Sequence, residues 1–188
     1  MGSGALRFGV LGSAFSPALT KLFAEHSEAV FDYLSFRRDI ETIAAERASI
    51  FASDTDLLVI DKIYRKMEAA HSKRNPADEA ELDAQFHMAI IEASHNVIML
   101  HMMRSMFELL REGVFYNRSV MFKQRTTRDL LLDHHRAINQ AIQDRDPQAA
   151  RAAIGLHLTY VEQDLLKQKK SEQNEEVAKL RYQQENAR

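Results

Sequence analysis

Apolar residues recur every three or four positions along most of this chain, which is the spacing of an amphipathic helix. The clearest stripes are Leu57, Ile60, Tyr64 and Met67, then Leu100, Met103, Phe107, Leu110 and Val114, then Leu131, Ile138 and Ile142. Only six glycines and three prolines interrupt the 188 residues, and β-branched runs are few. The pattern predicts an all-α fold.

Short polar or proline-containing breaks divide this pattern into helices. Ser16-Pro17 predicts the start of a short first helix, because serine caps helix starts and proline suits the first turn. The later helices are expected from Ser27 to about Ala52, from Ser53 to about Ser72, around Asp83 and His87 as far as Ser94, from Val97 to about Phe122, from Thr126 to Asp144, and from Pro147 onwards. The sequence therefore predicts one antiparallel bundle of six to seven helices.

One domain, residues 16–167, is expected to contain all of these helices. Residues 1–15 begin Met1-Gly-Ser-Gly, which is typical of a linker or an engineered junction, and they contain no winged helix-turn-helix. Residues 168–188 are almost wholly polar, which predicts a frayed helix or a disordered tail.

The amino-acid composition excludes several kinds of functional site and partner. The chain has no cysteine, so disulfides, thiolate nucleophiles and thiolate zinc sites are excluded, and nitrogen and oxygen must hold any metal. A formal charge of −2 gives no electrostatic reason to expect nucleic-acid binding by this chain. No stretch of 18 apolar residues occurs, so no membrane-spanning segment is expected, and a cytoplasmic location is the default expectation.

Four residues form a candidate metal site. Asp83 and His87 stand four positions apart on one predicted helix, so a carboxylate and an imidazole can share one ion. His135 and His157 fall on the apolar stripes of two later helices, while His134 lies one step round from its stripe. A lone inward histidine is more often a hydrogen-bonded core residue than a ligand. Two inward histidines together with the Asp-His step favour the core interpretation and the metal-ligand interpretation about equally.

The second predicted helix carries two charged residues in the middle of an apolar stripe, Arg37 and Glu41. A buried guanidinium needs a partner, because an unpaired buried charge costs several kcal/mol. One interpretation is an intrahelical pair with Glu41, four positions away. The other is that Arg37 grips a carboxylate ligand with its planar fork, a role that neighbouring Arg38 could also take.

Three segments, 36–48, 82–96 and 133–158, resemble the effector-binding (FCD) domain of FadR-type GntR-family transcription regulators in order and spacing. The segment from Glu92 to His101 and the charged tail are similar to the branch that answers to pyruvate and lactate.

The resemblance implies a helical bundle that forms a homodimer, senses a small carboxylate and moves a linked DNA-binding domain. In its metal-binding members, an Asp-x-x-x-His step and two later histidines about 22 residues apart hold a divalent ion. These positions match Asp83, His87, His135 and His157 here, so His135 is preferred over His134. The effector-contacting arginine matches Arg37. Arg38 and Asn96 are further effector candidates, although Asn96 is most simply the cap between two helices.

An effector-sensing domain, not an enzyme, is therefore expected. Zinc or nickel suits an imidazole-rich site best, and manganese tolerates it. DNA would be bound only through a winged helix-turn-helix that this sequence lacks. The alternatives are a metal-free helical dimerisation module and a metal-dependent hydrolase with Glu41 or Glu92 as its base. The chain has no His-Glu-x-x-His motif to support the hydrolase.

Overall fold

The computed structural model describes residues 19–22, 25–26, 29–111 and 125–187. Six helices have defined bounds there: α1 Ala29–Phe51, α2 Asp54–Lys73, α3 Pro76–Ala93, α4 Val97–Arg111, α5 Arg125–Gln143 and α6 Pro147–Asn186. A further helical turn covers 19–22. These ranges contain no strand, so the predicted all-α fold is confirmed. The predicted start at Ser16-Pro17 and the predicted end of the fifth helix near Phe122 lie outside the described residues.

Side chains that accept hydrogen bonds from free backbone amides fix several helix starts. Ser53 accepts from the amide of Asp56, whose carboxylate accepts in return from the Ser53 amide. Asp146 accepts from the amides of Gln148 and Ala149, at the start of α6. Proline occupies the first turn of both α3 and α6. The breaks that were visible in the sequence are therefore the places where the chain turns.

Two apolar clusters fill the bundle, and α1 packs against both α6 and α3. The first cluster includes Ile60, Phe86, Ile138 and Ile154, all fully buried, together with small residues of α1. The second cluster consists of buried residues from five helices, namely Tyr33, Leu34, Ala44, Ile91, Met103, Phe107, Leu131 and Val161. Phe86 and Phe107 both contact the ring of His87, so a polar group lies where the two apolar clusters meet.

The last helix extends well beyond the bundle. α6 continues through the polar segment to Asn186, and every described side chain from Lys170 onwards is exposed. At about 1.5 Å per residue its 40 residues span roughly 60 Å. None of the described helices combines the length and the apolar character that crossing a membrane requires.

A buried ion pair joins α3 to α5. The Nε atom of Arg128 donates to both carboxylate oxygens of Glu79 at 2.9 Å, and its Nη2 atom donates to the carbonyl of His71 at 2.7 Å. Both charged side chains are buried. Removing one partner of such a pair leaves the other charge buried without compensation, which is far more costly than losing a surface pair.

We expect Glu79→Ala to lower the free energy of unfolding by about 3 to 5 kcal/mol, because it strands the buried guanidinium of Arg128. Glu46→Ala is the matched control, because Glu46 forms an exposed pair with Arg151 between α1 and α6. That control should lose less than about 1 kcal/mol. Urea denaturation measures both variants, and equal losses would contradict the prediction.

Candidate metal centre

Four buried side chains from three helices converge inside the bundle. Asp83 and His87 come from α3, His135 from α5 and His157 from α6. One ligand atom from each lies within 4.8 Å of all the others. Their residues are between 0% and 4% exposed. The structure thus brings together the four residues that the sequence proposed.

Helix geometry explains this convergence. Asp83 and His87 are one helical turn apart, so both side chains leave the same face of α3. His135 lies between buried Leu131 and Ile138 on α5. His157 occupies the equivalent place on α6, where the other buried residues are Ala150, Ile154, Leu158 and Val161. Because the apolar face of each helix packs into the bundle, the histidine on that face also points into the bundle core.

Three distances between these ligand atoms fall in the range expected for the first coordination sphere of a divalent ion. Nε2 of His135 lies 3.0 Å from Oδ1 of Asp83, and Nε2 of His87 lies 3.2 Å from Nε2 of His157. The third distance, from Nε2 of His87 to Oδ1 of Asp83, is 3.7 Å. Two atoms that each lie about 2.1 Å from one ion are roughly 3.0 to 4.2 Å apart. This buried cluster could therefore hold a metal ion.

Burial keeps the imidazoles of His87 and His157 in the neutral form that binds metal. It lowers the pKa of His87, although the nearby Glu41 carboxylate opposes the effect. Burial also lowers the pKa of His157 well below its ordinary value, helped by the neighbouring rings of His135 and His87. Metals bind the neutral imidazole, so both rings are ready at neutral pH.

The two adjacent histidines of α5 have different surroundings. His135 belongs to the buried cluster, whereas His134 lies half-buried outside it. The ring of His134 meets those of His157 and Tyr160 edge-on, with centroids 5.9 Å and 5.4 Å away. The inward position expected for His135 is the one observed.

Arg37 and Glu41 lie beside this cluster and pair with each other. Arg37 is 1% exposed, and its Nε atom donates to Oε1 of Glu41. The other oxygen of Glu41 accepts a hydrogen bond from Nδ1 of His87. The guanidinium of Arg37 also lies 5.0 Å from the centre of the Phe107 ring, which stacks on His87. The predicted intrahelical pair is thus present, and it touches the candidate metal centre.

The other two effector candidates lie elsewhere. Arg38 pairs with Glu162 of α6 at 2.7 Å and also donates to Ser35. The side chain of Asn96 accepts from the amide of Met99 and caps α4. Phe107, the α4 residue that stacks on His87, lies about 16 Å further along the helix axis, since α4 rises about 1.5 Å per residue. The structure places neither side chain at the cluster.

The two carboxylates considered as hydrolytic bases are poorly suited to that role. Burial would raise the pKa of Glu41, but Arg37 and His87 outweigh it and lower the pKa to about 2. A carboxylate of that pKa is a very weak base at neutral pH. Glu92 is exposed and pairs with Arg104.

Sequence reasoning missed two contacts of His87, those with Glu41 and Phe107. The hydrogen bond between Glu41 and His87 joins residues 46 positions apart, and no local spacing indicates it. The contact of Phe107 with His87 joins two different helices, and no local spacing indicates it either. The one available signal was that Glu41 is a charged residue on an apolar stripe, which requires a buried partner.

The fold and this centre define an all-helical domain with a buried cluster of one carboxylate and three imidazoles that could hold a metal ion. The family model for the FCD domain matches residues 32–160. The chain therefore belongs to the FCD domain family of GntR-type regulators, whose FCD domain is the effector-sensing part, and the resemblance seen in the sequence is confirmed.

Curated relatives are transcription regulators. The putative L-lactate dehydrogenase operon regulatory protein of Escherichia coli K12 is 34% identical over 143 residues, which are 76% of this chain and 54% of that protein. The Glc operon transcriptional activator of the same organism is 28% identical over 150 residues, 78% of this chain and 59% of that protein. This chain thus spans a little over half the length of these relatives.

Solved structures share the fold. The Streptococcus agalactiae GntR structure aligns with a TM-score of 0.61 at 22% identity, covering 73% of this chain and 60% of that one. The Escherichia coli McbR/YncC structure has the same TM-score at 16% identity and covers 73% of this chain and 67% of its own.

We expect the metal-free protein to lose stability as the pH falls from 7.5 to 5.5. The folded-state pKa values of His87 and His157 lie below 6.5, so below that pH the unfolded chain binds more protons. Each buried histidine contributes a slope of up to about 1.4 kcal/mol per pH unit. Glu41 does not act in this range, because its stabilisation is lost only between pH 4.5 and about 2.

Urea denaturation in the presence of a chelator measures this slope. His157→Gln removes one buried titrating ring and should flatten the slope. His26→Gln, which removes an exposed histidine, should not change it. Stability that is independent of pH in the wild type would show that these rings take up protons in the folded state.

Proposed function

We propose that this domain senses a small carboxylate at a divalent metal ion held by Asp83, His87, His135 and His157. The observation that carries the proposal is the convergence of one carboxylate and three imidazoles within 4.8 Å in a buried site. As part of a regulator of this family, the domain would form a homodimer and pass ligand binding to a linked DNA-binding domain.

The donor set favours particular metals. Three imidazole nitrogens and one carboxylate oxygen suit zinc or nickel best, and manganese tolerates the same set. A metal ion here would supply positive charge and coordination positions that the four protein atoms do not fill. Asp83 is the one carboxylate among the four, so it neutralises only part of a divalent charge. An anionic ligand is therefore the expected partner of the site.

Arg37 supports a carboxylate ligand. Its guanidinium lies beside the cluster, connected to it through Glu41 and Phe107. The planar guanidinium of Arg37 matches the geometry of a carboxylate, which it can bind through two parallel N–H donors. A relative named for the L-lactate dehydrogenase operon makes 2-hydroxy and 2-oxo acids the first class to test.

The helix packing suggests how binding could be passed on. α1 carries Arg37 and packs against α3 and α6, which carry three of the four candidate ligands. A ligand that contacts both the metal and Arg37 would favour one arrangement of α1 relative to the other helices. That shift is the change that a linked DNA-binding domain would receive.

We expect one divalent ion per wild-type chain, and almost none in the double variant His135→Ala, His157→Ala. Inductively coupled plasma mass spectrometry of protein purified without chelator measures the metal content. The control is His134→Ala, which removes the neighbouring ring outside the cluster and should keep the metal. Equal metal content in the wild type and the double variant would eliminate this site.

We expect L-lactate, pyruvate or a related small acid to raise the melting temperature of the metal-loaded protein. A ligand that binds only the folded state stabilises it by about 2.7 kcal/mol at one hundred times its Kd. Arg37→Lys keeps the charge but loses the planar fork, so the affinity for the acid should fall about tenfold or more.

Arg38→Lys is the matched control for this experiment. Its side chain pairs with Glu162 instead of contacting the cluster, so the affinity should stay within about twofold of wild type. An acid that binds the wild type and Arg37→Lys equally well would argue against a role for Arg37. If none of the small acids raises the melting temperature, the carboxylate proposal is wrong.

A further inference from the structure

The charged side chain of Glu41 has a place in the candidate metal centre that the four ligands do not explain. It projects from α1, which supplies none of those ligands, and it is 1% exposed. Its two oxygens are used by different partners, Oε1 by Nε of Arg37 and Oε2 by Nδ1 of His87. Glu41 therefore contacts a candidate ligand on the ring atom that does not face the other ligands.

The chemistry of that contact fixes the proton on the ring. The carboxylate of Glu41 pairs with the buried guanidinium of Arg37, and a carboxylate in an ion pair can only accept hydrogen bonds. Nδ1 of His87 must then carry the proton, which leaves a lone pair on Nε2. It is Nε2 that lies 3.2 Å from Nε2 of His157 and 3.7 Å from Oδ1 of Asp83. The contact thus selects the tautomer that can bind an ion at the cluster.

Arg37 keeps the carboxylate charged in the core. An isolated carboxylate buried among apolar residues would take up a proton, and a protonated acid could donate to Nδ1 instead of accepting from it. The guanidinium of Arg37, one turn earlier on α1, pairs directly with Glu41 and favours the ionised carboxylate. The side-chain order Arg37, Glu41, His87 is therefore suited to orienting one ligand ring.

We propose that Glu41 is a positioning residue of the metal centre, which holds His87 with Nδ1 protonated and Nε2 directed at the other three ligand atoms. This inference rests on the proposed metal site. Carboxylates that accept from metal-bound histidines fix ring orientation and increase ligand basicity, and their removal typically weakens metal binding by roughly 10- to 100-fold.

The test compares the wild type with Glu41→Gln, which keeps the shape of the side chain but removes its charge. Competition with a chromophoric chelator should show zinc affinity lowered by roughly 10- to 100-fold. Long-range proton–nitrogen NMR of the metal-free proteins should show His87 protonated at Nδ1 in the wild type. In Glu41→Gln a substantial share should shift to Nε2, because an amide can donate as well as accept.

Glu162→Gln is the matched control. Glu162 is a partly buried carboxylate that pairs with Arg38 and so also connects α6 to α1, but without touching the cluster. Its zinc affinity and its His87 signals should equal those of the wild type.

Three results would overturn the inference. Equal zinc affinity in the wild type and Glu41→Gln is one. A weaker affinity with an unchanged His87 tautomer is the second, because it assigns Glu41 a purely structural role. The third is a wild-type NMR spectrum in which His87 is protonated at Nε2 instead of Nδ1. That spectrum tests the inference even if Glu41→Gln does not fold. A wild-type chain that binds no zinc would instead overturn the proposed function, and this inference with it.

Discussion

The architecture of this domain depends on how an apolar bundle accommodates charged side chains at its centre. Arg37, Glu41, Asp83 and three histidines are buried where the two apolar clusters meet. Each such group loses its hydration on folding, which costs several kcal/mol unless another polar group replaces the water. The buried groups therefore have to satisfy one another, and this requirement sets the relative positions of α1, α3, α5 and α6.

Much of this arrangement could be predicted from local spacing. The i,i+4 step from Asp83 to His87 and the apolar stripes around His135 and His157 determine which side of each helix turns inward. The breaks at Ser53 and Pro147 gave helix starts because capping and proline geometry act within a few residues. Long regular helices make such local rules sufficient for the fold class and for the four clustered residues.

Pairings between helices were beyond these rules. Spacing along α1 indicates that Arg37 can reach Glu41, but not that Glu41 also reaches His87 on α3. The same limit applies to Arg38, whose partner Glu162 is 124 positions away, and to Phe107. Which residues meet across a helix interface depends on the crossing angle and offset of the two helices, and single-helix periodicity determines neither.

The pairing of Arg37 with Glu41 does not compete with a ligand-binding role for Arg37. A guanidinium with no buried partner would be too costly to keep in the core while the ligand is absent. The bond to Glu41 compensates its charge and also holds the guanidinium beside Phe107 and His87, so little side-chain entropy would be lost when a carboxylate arrives. Because Glu41 contacts both Arg37 and His87, a change at either residue alters the environment of the other. If the proposed ligand and metal both bind, their binding is therefore thermodynamically coupled, and each changes the affinity for the other by the same factor.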